Sequence, residues 1–429
     1  MSTVQSRLAS VMGHVSSPSG GTAKLLEKNA DDIDGNAPGT KQVISFALRT
    51  PLTKAKKGGL KDTALEDLLI ALLTAVRERS HIAPELVEDV CLGNVLSPAQ
   101  GFIARSSVLA SGFPAGTAAS VTNRFCSSGL LAVQNIANQI LAGSIDVGIA
   151  VGAESMSSNP DNGAGTMSDK IMAHELASQN VMPMGQTSEE VARQFRISRE
   201  KMDGFAADSF QKAERAQREG WCVDEILPVA VTVKDPKTGE VKEVVVSQDD
   251  GIRYGTTAQS LSKIRSAFPQ WEPSHTTGGN ASQITDGAAA LLLMKRSTAE
   301  RMGQPILGKF YGATVVGLEP RIMGIGPTIA IPKILKKAGI DKGDVDIFEI
   351  NEAFASMGVY CVEELGLDPA KVNPRGGAIA LGHPLGCTGA RQVVTALSEL
   401  RRQNKRIAVT SMCIGTGMGM AAIFVSEHT

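Results

Sequence analysis

Thr117-Ala-Ala-Ser-Val-Thr-Asn-Arg-Phe-Cys-Ser-Ser-Gly-Leu-Leu131 reads as the end of a strand, a short turn and the start of a helix. Thr117–Val121 offers small and β-branched residues suited to a buried strand, and from Leu131 to Leu141 apolar residues return at helical spacing. Cys126 therefore stands at a strand-to-helix junction. Unpaired backbone N–H groups and the helix dipole at such a place favour a thiolate, the nucleophilic form of cysteine. A cysteine among apolar residues is more often packing than chemistry, so catalysis at Cys126 requires partners from elsewhere in the chain.

Outward from this junction the chain reads as α/β. Gln42–Leu48, Glu88–Asn94 and Ile145–Val151 have the character of strands. Leu65–Arg77 reads as a helix opened by the capping box Thr63-Ala-Leu-Glu66, and Ile103–Ala110 as a second helix. Alternation of this kind predicts a parallel sheet with crossover helices. From 158 to 282 the pattern changes. An Asn- and Gly-rich loop leads to a helix opened by the box Thr187-Ser-Glu-Glu190, a helix from Ser198, strand-like runs over 228–247, and loop from Gly251 to Phe268. This stretch is expected to be an insertion with its own small fold. Asp286–Met294 then returns to a buried strand.

The remainder repeats what came before. Asp344–Asn351 reads as a strand ending in Asn, as Val90–Asn94 does, and the two asparagines stand 257 residues apart. The same step taken from Cys126 lands on His383, and Ile149-Ala-Val151 reappears as Ile407-Ala-Val409 at an offset of 258. A nearly constant offset marks an internal duplication. Two such halves packed face to face about a pseudo-two-fold axis would bring the Cys126 and His383 junctions together.

Composition sets the outer bounds. The 429 residues carry 43 Lys and Arg against 44 Asp and Glu, with no long basic run, which disfavours nucleic acid as a partner. No uninterrupted apolar stretch approaches the length of a membrane span. Six cysteines at 91, 126, 222, 361, 387 and 413 form no CxxC pair, so neither a disulfide framework nor a metal site is expected. A reducing compartment suits them.

A nucleophilic cysteine needs a base, and the duplication singles out His383. Cys413 follows a strand and precedes Ile414-Gly-Thr-Gly-Met-Gly419, where glycines let backbone approach a ligand closely and aim N–H groups inward. The residues after that run are strand-like, which argues against a dinucleotide fingerprint. Asn351 ends its strand where ligands bind in open α/β sheets. Glu352 beside it suits either proton transfer or tying down the turn.

Cys126-Ser-Ser-Gly-Leu130, Asn351-Glu-Ala-Phe354, Gly382-His-Pro-Leu-Gly386 and Cys413-Ile-Gly-Thr-Gly417 resemble the four active-site blocks of the thiolases, in that family's order and spacing, over about 41 to 425. The context Val372–His383 is most similar to the degradative, peroxisomal branch. The resemblance implies a duplicated five-layered α-β-α-β-α fold. Its parts would be a targeting extension (1–40), a first half (41–157 with 283–308), a CoA-binding loop domain (158–282) and a second half (309–429). It implies thiolytic cleavage of 3-ketoacyl-CoA by CoA, the last step of fatty-acid β-oxidation, in a ping-pong cycle through an acyl thioester on Cys126. His383 would be the base and Cys413 the acid and then the base. Asn351 would hold a water, and Gly415 would join Cys126 in an oxyanion hole. CoA enters as co-substrate and no bound cofactor is implied. Arg253, Ser260 and Ser282 match CoA-contacting positions, and Met184 and Phe354 the acyl-thioester end. Ser266 stands where the family has proline, and Pro183 precedes Met-Gly where biosynthetic acetoacetyl-CoA thiolases have histidine. A homodimer is implied.

Near the start, Arg7-Leu8 and, five residues on, His14-Val15 resemble an N-terminal peroxisomal targeting signal read by an import receptor. A mitochondrial presequence, hence the matrix, is the alternative address. For activity, an acetoacetyl-CoA thiolase is the nearest alternative, and a non-catalytic acyl-CoA or lipid carrier the alternative from another class.

Overall fold

The computed structural model describes residues 42–427, residue 236 excepted, so Arg7, Leu8, His14 and Val15 lie outside the described residues. The first half runs β1 (Gln42–Arg49), β2 (Thr53–Lys54), α1 (Leu65–Ser80), β3 (Asp89–Gly93), α2 (Gln100–Ala110), β4 (Ala118–Thr122), α3 (Ser128–Ala142) and β5 (Val147–Ser155). A long insertion follows, with helices α4 (Met184–Gln194) and α5 (Arg199–Arg218) and the hairpin β6 (Val229–Lys234) and β7 (Val241–Val246). β8 (Thr285–Lys295) completes the first half. The second comprises β9 (Gly308–Gly317), α6 (Gly326–Ala338), β10 (Ile347–Ile350), α7 (Ala355–Leu365), α8 (Thr388–Gln403), β11 (Ile407–Ile414) and β12 (Met418–Ser426).

The duplication is visible in the pairing. In the first half the order is β1-β8-β5-β3-β4, antiparallel for the first two pairings and parallel for the last two. The second half has β9-β12-β11-β10 with the same senses, and a parallel bridge from Phe348 to Val372 replaces the fifth strand. The sheets touch at Val43 with Lys309 and Ile44 with Gly308. The parallel sheet expected from the sequence is thus mixed: β8 returns from the insertion antiparallel to β5, and β1 pairs antiparallel to β8.

Alternation along the strands explains the layers. Leu291 and Leu293 of β8 join Val133 and Ile136 of α3 and Val393 and Leu397 of α8 in one core, while Leu292 and Met294 face Leu72 and Val76 of α1 in another. On β12, Ala422 and Phe424 face the shared core, and Ile423 and Val425 face Ile331 and Ile334 of α6. Both faces of the inner strands of both sheets are therefore buried, with α3 and α8 between them. A period of two with helices on either side yields five layers, α-β-α-β-α.

A buried ionic cluster fastens the parts. Arg49 of β1 donates to Glu225 at 2.8 Å and to Asp249 at 2.8 and 2.9 Å, both in the insertion. Arg375 of the second half donates to Glu225 at 3.1 Å and to Glu399 at 2.7 Å. Removing one member would strand a charge of its partners in the interior.

Three local expectations are corrected. β4 is the end strand of its sheet, paired only with β3 among the described strands, and is half exposed instead of buried. Neither capping box forms. α1 begins after Ala64 without a side-chain cap and leaves the Thr63 hydroxyl unpartnered, while α4 begins at Met184 after Pro183, placing Thr187 inside the helix with its hydroxyl donating to Met184 O. Proline at the N-cap position of α4 sets the start one turn earlier than Thr187 would.

Candidate active site

The turn before α3 is built by its own polar residues. Asn123 Oδ1 accepts the Phe125 N–H at 2.9 Å, and the Ser127 hydroxyl donates to Arg124 O at 3.0 Å. Ser128 Oγ accepts the Arg124 N–H at 2.9 Å and donates to Phe125 O at 2.6 Å. These bonds hold Phe125 at a φ of 45°, a left-handed conformation costly for an aromatic residue. Cys126 is thereby presented, buried, at the start of α3.

The two junctions meet through glycine. A Cβ on Gly129 would stand 2.7 Å from both Ala390 N and Gly386 O, and one on Gly389 would stand 2.3 Å from Leu130 N. The starts of α3 and α8 thus cross backbone to backbone. Gly129 and Gly386 are themselves 257 residues apart, so equivalent positions touch at the axis. Only glycine permits this approach.

His383 is buried in the turn before α8. Its N–H donates to Gln283 O at 2.9 Å, and its Nδ1 lies 2.6 Å from Thr388 Oγ1. The Thr388 hydroxyl spends its hydrogen on Pro384 O at 3.1 Å, so it accepts from Nδ1–H. That leaves Nε2 as the lone-pair nitrogen, and Asn351 Nδ2 donates to it at 3.3 Å. Burial, with the charge of Arg391 second, pulls the imidazole down to about 3, so it rests neutral with Nε2 unprotonated. Asn351 Oδ1 is buried and has no hydrogen-bond partner among the described residues.

The expectation of a resting thiolate is overturned. Burial pushes the Cys126 thiol up to about 11, and the N–H groups of Gly415 and of Cys126 itself only partly offset this. Desolvation outweighs the helix terminus, and deprotonation has to be supplied by a base. The same two N–H groups form a pair of donors at the sulfur. The Cys413 thiol is also held well above its usual range, first by burial and then by the neighbouring Cys126.

Cys413 ends a second line of contacts. Its Sγ lies 4.0 Å from Met357 Sδ, and an apolar cluster joins it to Val191, Ile322, Met323, Met184 and Phe354. Met184 reaches Gly415 as well, because a Cβ there would stand 3.8 Å from Met184 Sδ and 3.9 Å from the Phe125 ring. The structure therefore brings Cys126, Gly415, Cys413, Met184 and Phe354 together, with Asn351 on His383. Ser282 lies alongside Phe354, its N–H donating to Ala353 O at 3.0 Å. Arg253 and Ser260 are exposed and bond within the insertion: Arg253 donates to Gly278 O at 3.0 Å and stacks over Phe210, and Ser260 closes a capping box with Thr257. Ser266, in place of proline, accepts the Phe268 N–H at 3.1 Å. Glu352 ties the turn, accepting from Ser209, Asn373 and the Ile379 N–H.

Two residues of the site carry no sequence motif. Thr388 fixes the imidazole tautomer, and its place in the first turn of the helix after His383 was the available signal. Glu154 is a carboxylate buried at the seam, visible in sequence as an acid closing the apolar run Ile149-Ala-Val-Gly-Ala153. Among the described residues no helix is long and apolar enough to cross a membrane.

A model described as the thiolase N-terminal domain matches residues 42–297, and one described as the thiolase C-terminal domain matches 304–426. The peroxisomal 3-ketoacyl-CoA thiolase B of Rattus norvegicus is 50% identical over 420 residues, covering 97% of this chain and 98% of that protein. The solved dimeric peroxisomal thiolase of Saccharomyces cerevisiae superposes with a TM-score of 0.83 at 46% identity, covering 94% of this chain and 99% of that one. A human mitochondrial 3-ketoacyl-CoA thiolase solved in complex with CoA gives 0.79 at 34% identity, covering 91% and 98%.

Proposed function

The chain belongs to the thiolase family, and from that premise we propose that it cleaves 3-ketoacyl-CoA with CoA to acetyl-CoA and a shortened acyl-CoA. The observation that carries this reading is the buried Cys126 thiol faced by the N–H groups of Cys126 and Gly415, with Cys413 beside it. His383 Nε2 takes the thiol proton, and the sulfur attacks the 3-keto carbon. The tetrahedral oxygen that forms is met by the two N–H donors, each worth about 3 kcal/mol of barrier.

The bond between the α and β carbons then breaks. An acyl thioester remains on Cys126, and acetyl-CoA leaves as its enolate, whose carbon Cys413 protonates. His383, now imidazolium, hydrogen-bonds the enolate oxygen through Nε2–H and keeps that proton, returning it to the Cys126 thiolate when the second half-reaction releases it. Asn351 Oδ1, buried and unpartnered among the described residues, suits a water that donates its second hydrogen to the same oxygen. Incoming CoA gives its thiol proton to Cys413, and its sulfur carries the acyl group away. One residue acts as acid and then base, as two half-reactions require.

CoA is the co-substrate, and the insertion, with Arg253, Ser260 and Ser282, is where it would lie. The chain works in the peroxisome, as its relatives' names state for them, and residues 1–40 carry the address its import receptor reads. It works as a homodimer. The half-exposed end strand β4, with Phe102 82% exposed on α2 and Phe125 40% exposed beside Cys126, is the face a second copy would cover.

Loss of the magnesium-enolate absorbance of 3-ketooctanoyl-CoA on adding CoA tests the activity, with acetoacetyl-CoA run alongside. Wild type is expected to turn over the longer substrate and Cys126→Ala neither. Full turnover by Cys126→Ala would sink the assignment.

A further inference from the structure

Glu154 stands one residue from the end of β5, its carboxylate buried between the halves. Oε1 accepts from Asn94 Nδ2 at 2.9 Å and from the Leu96 N–H at 3.2 Å. Oε2 accepts the Val95 N–H at 3.0 Å and the Gly386 N–H at 3.0 Å. Three donors belong to the turn after β3, whose Val95 O accepts from Asn123 Nδ2 of the Cys126 turn at 3.2 Å. The fourth belongs to the turn that carries His383.

That turn is wedged in place. A Cβ on Gly386 would stand 2.6 Å from Ala153 O and 2.7 Å from Gly93 O, so the chain after His383 runs against the ends of β5 and β3. At the 258-residue offset that relates β5 to β11, the position matching Glu154 is Met412, an apolar side chain of the shared core. The duplicated fold therefore does not itself require an acid at this place. The carboxylate sits only on the half that bears Cys126, and it grips the turn of the half that bears His383.

We propose that Glu154 is a positioning residue for acyl transfer: its carboxylate locks the His383 turn in register with the Cys126 turn, so that Nε2 meets the thiol. The proposal rests on the roles given to Cys126 and His383 above. Four N–H donors converge on the two oxygens, a pattern only an acceptor at both oxygens satisfies. Glutamine at 154 keeps the shape but turns an NH2 group toward one pair of those donors. The Gly386 N–H and the turn behind it are then pushed off, or the turn after β3 is. The carboxylate is also one of the negative charges that raise the Cys126 thiol, so its value lies in alignment and not in easing deprotonation.

The test is a double-mutant cycle of Glu154→Gln and His383→Ala, read by thiolysis and by the rate at which iodoacetamide alkylates Cys126. In the wild-type background Glu154→Gln should lower kcat about 30-fold with the KM for CoA held within about twofold, and should slow alkylation. With His383 already gone it should cost nothing further, and alkylation should be unchanged or faster, because only a nearby negative charge has been removed. Equal slowing in both backgrounds, or full activity of Glu154→Gln alone, overturns the proposal. If Glu154→Gln does not fold, Glu154→Asp replaces it, keeping the charge but one methylene short of spanning both turns, with the same pattern expected. Absence of thiolysis in the wild type would refute the assigned function, while the alkylation cycle would still judge Glu154.

Discussion

Gly129→Ala puts one methyl group into the seam where the halves of the site meet. The new Cβ would lie 2.7 Å from Ala390 N, 2.7 Å from Gly386 O and 3.3 Å from Ala390 Cβ, and two of these are backbone atoms that cannot rotate away. Ordinary contact starts at 3.4 Å, so the starts of α3 and α8 must part by about 0.7 Å. Overpacking of this kind costs about 1–3 kcal/mol, and the better helix propensity of alanine returns up to about 1. The net expectation is a loss of about 1–2 kcal/mol in urea unfolding followed by circular dichroism. Because Cys126 and His383 each precede one of the separated helices, the same shift should lower kcat by roughly 10- to 100-fold. Gly204→Ala is the control. Gly204 is exposed on α5 with nothing within 4 Å of its added Cβ, so alanine there should stabilise by up to about 1 kcal/mol and leave thiolysis untouched. If Gly129→Ala proves as stable as wild type with full kcat, the close crossing does not hold the site together.

Thr388→Val removes the acceptor for His383 Nδ1–H and frees the ring to take the wrong tautomer. It should lower kcat by about 10-fold or more while costing only about 1–2 kcal/mol of stability. The pH dependence of stability carries the signature of His383. Its folded value, about 3, lies below the unfolded value near 6.5, so the stabilisation is complete above about pH 6.5 and is lost as pH falls from there toward 3. Between pH 7 and pH 5 the wild type should lose about 2 kcal/mol more than His383→Asn, measured as urea midpoints. Arg49→Met leaves Asp249 and Glu225 short of a buried partner and should cost about 3–5 kcal/mol, seen as a lowered unfolding midpoint.

The layers and the pairing of the two junctions were legible because both rest on repetition. A step of 257 residues takes Asn94 to Asn351 and Cys126 to His383, and the structure adds Gly129 and Gly386 to the same series. Local signals were less dependable where a second force competed. Thr63 and Thr187 have the spacing of capping residues, yet α4 starts a turn earlier behind Pro183 and α1 leaves Thr63 uncapped. The strand before Cys126 has buried-strand composition but lies at the end of its sheet, where small apolar residues suit contact with another chain. The ionisation of Cys126 is not legible in the sequence, which shows the helix start and hides the burial that outweighs it. Glu154 and Thr388 went unseen since each acts through a turn distant in sequence or through a ring nitrogen, neither of which a motif displays.

The central claim is that Cys126 carries the acyl group. Full-length protein mixed with 3-ketooctanoyl-CoA, quenched in acid and mapped by peptide mass spectrometry, tests it without any assumption about turnover. The expected result is the mass of the shortened acyl group on the peptide holding Cys126, lost on adding CoA to the wild type. An adduct on Cys413 or Cys387 instead, or none at all while substrate is consumed, would contradict it.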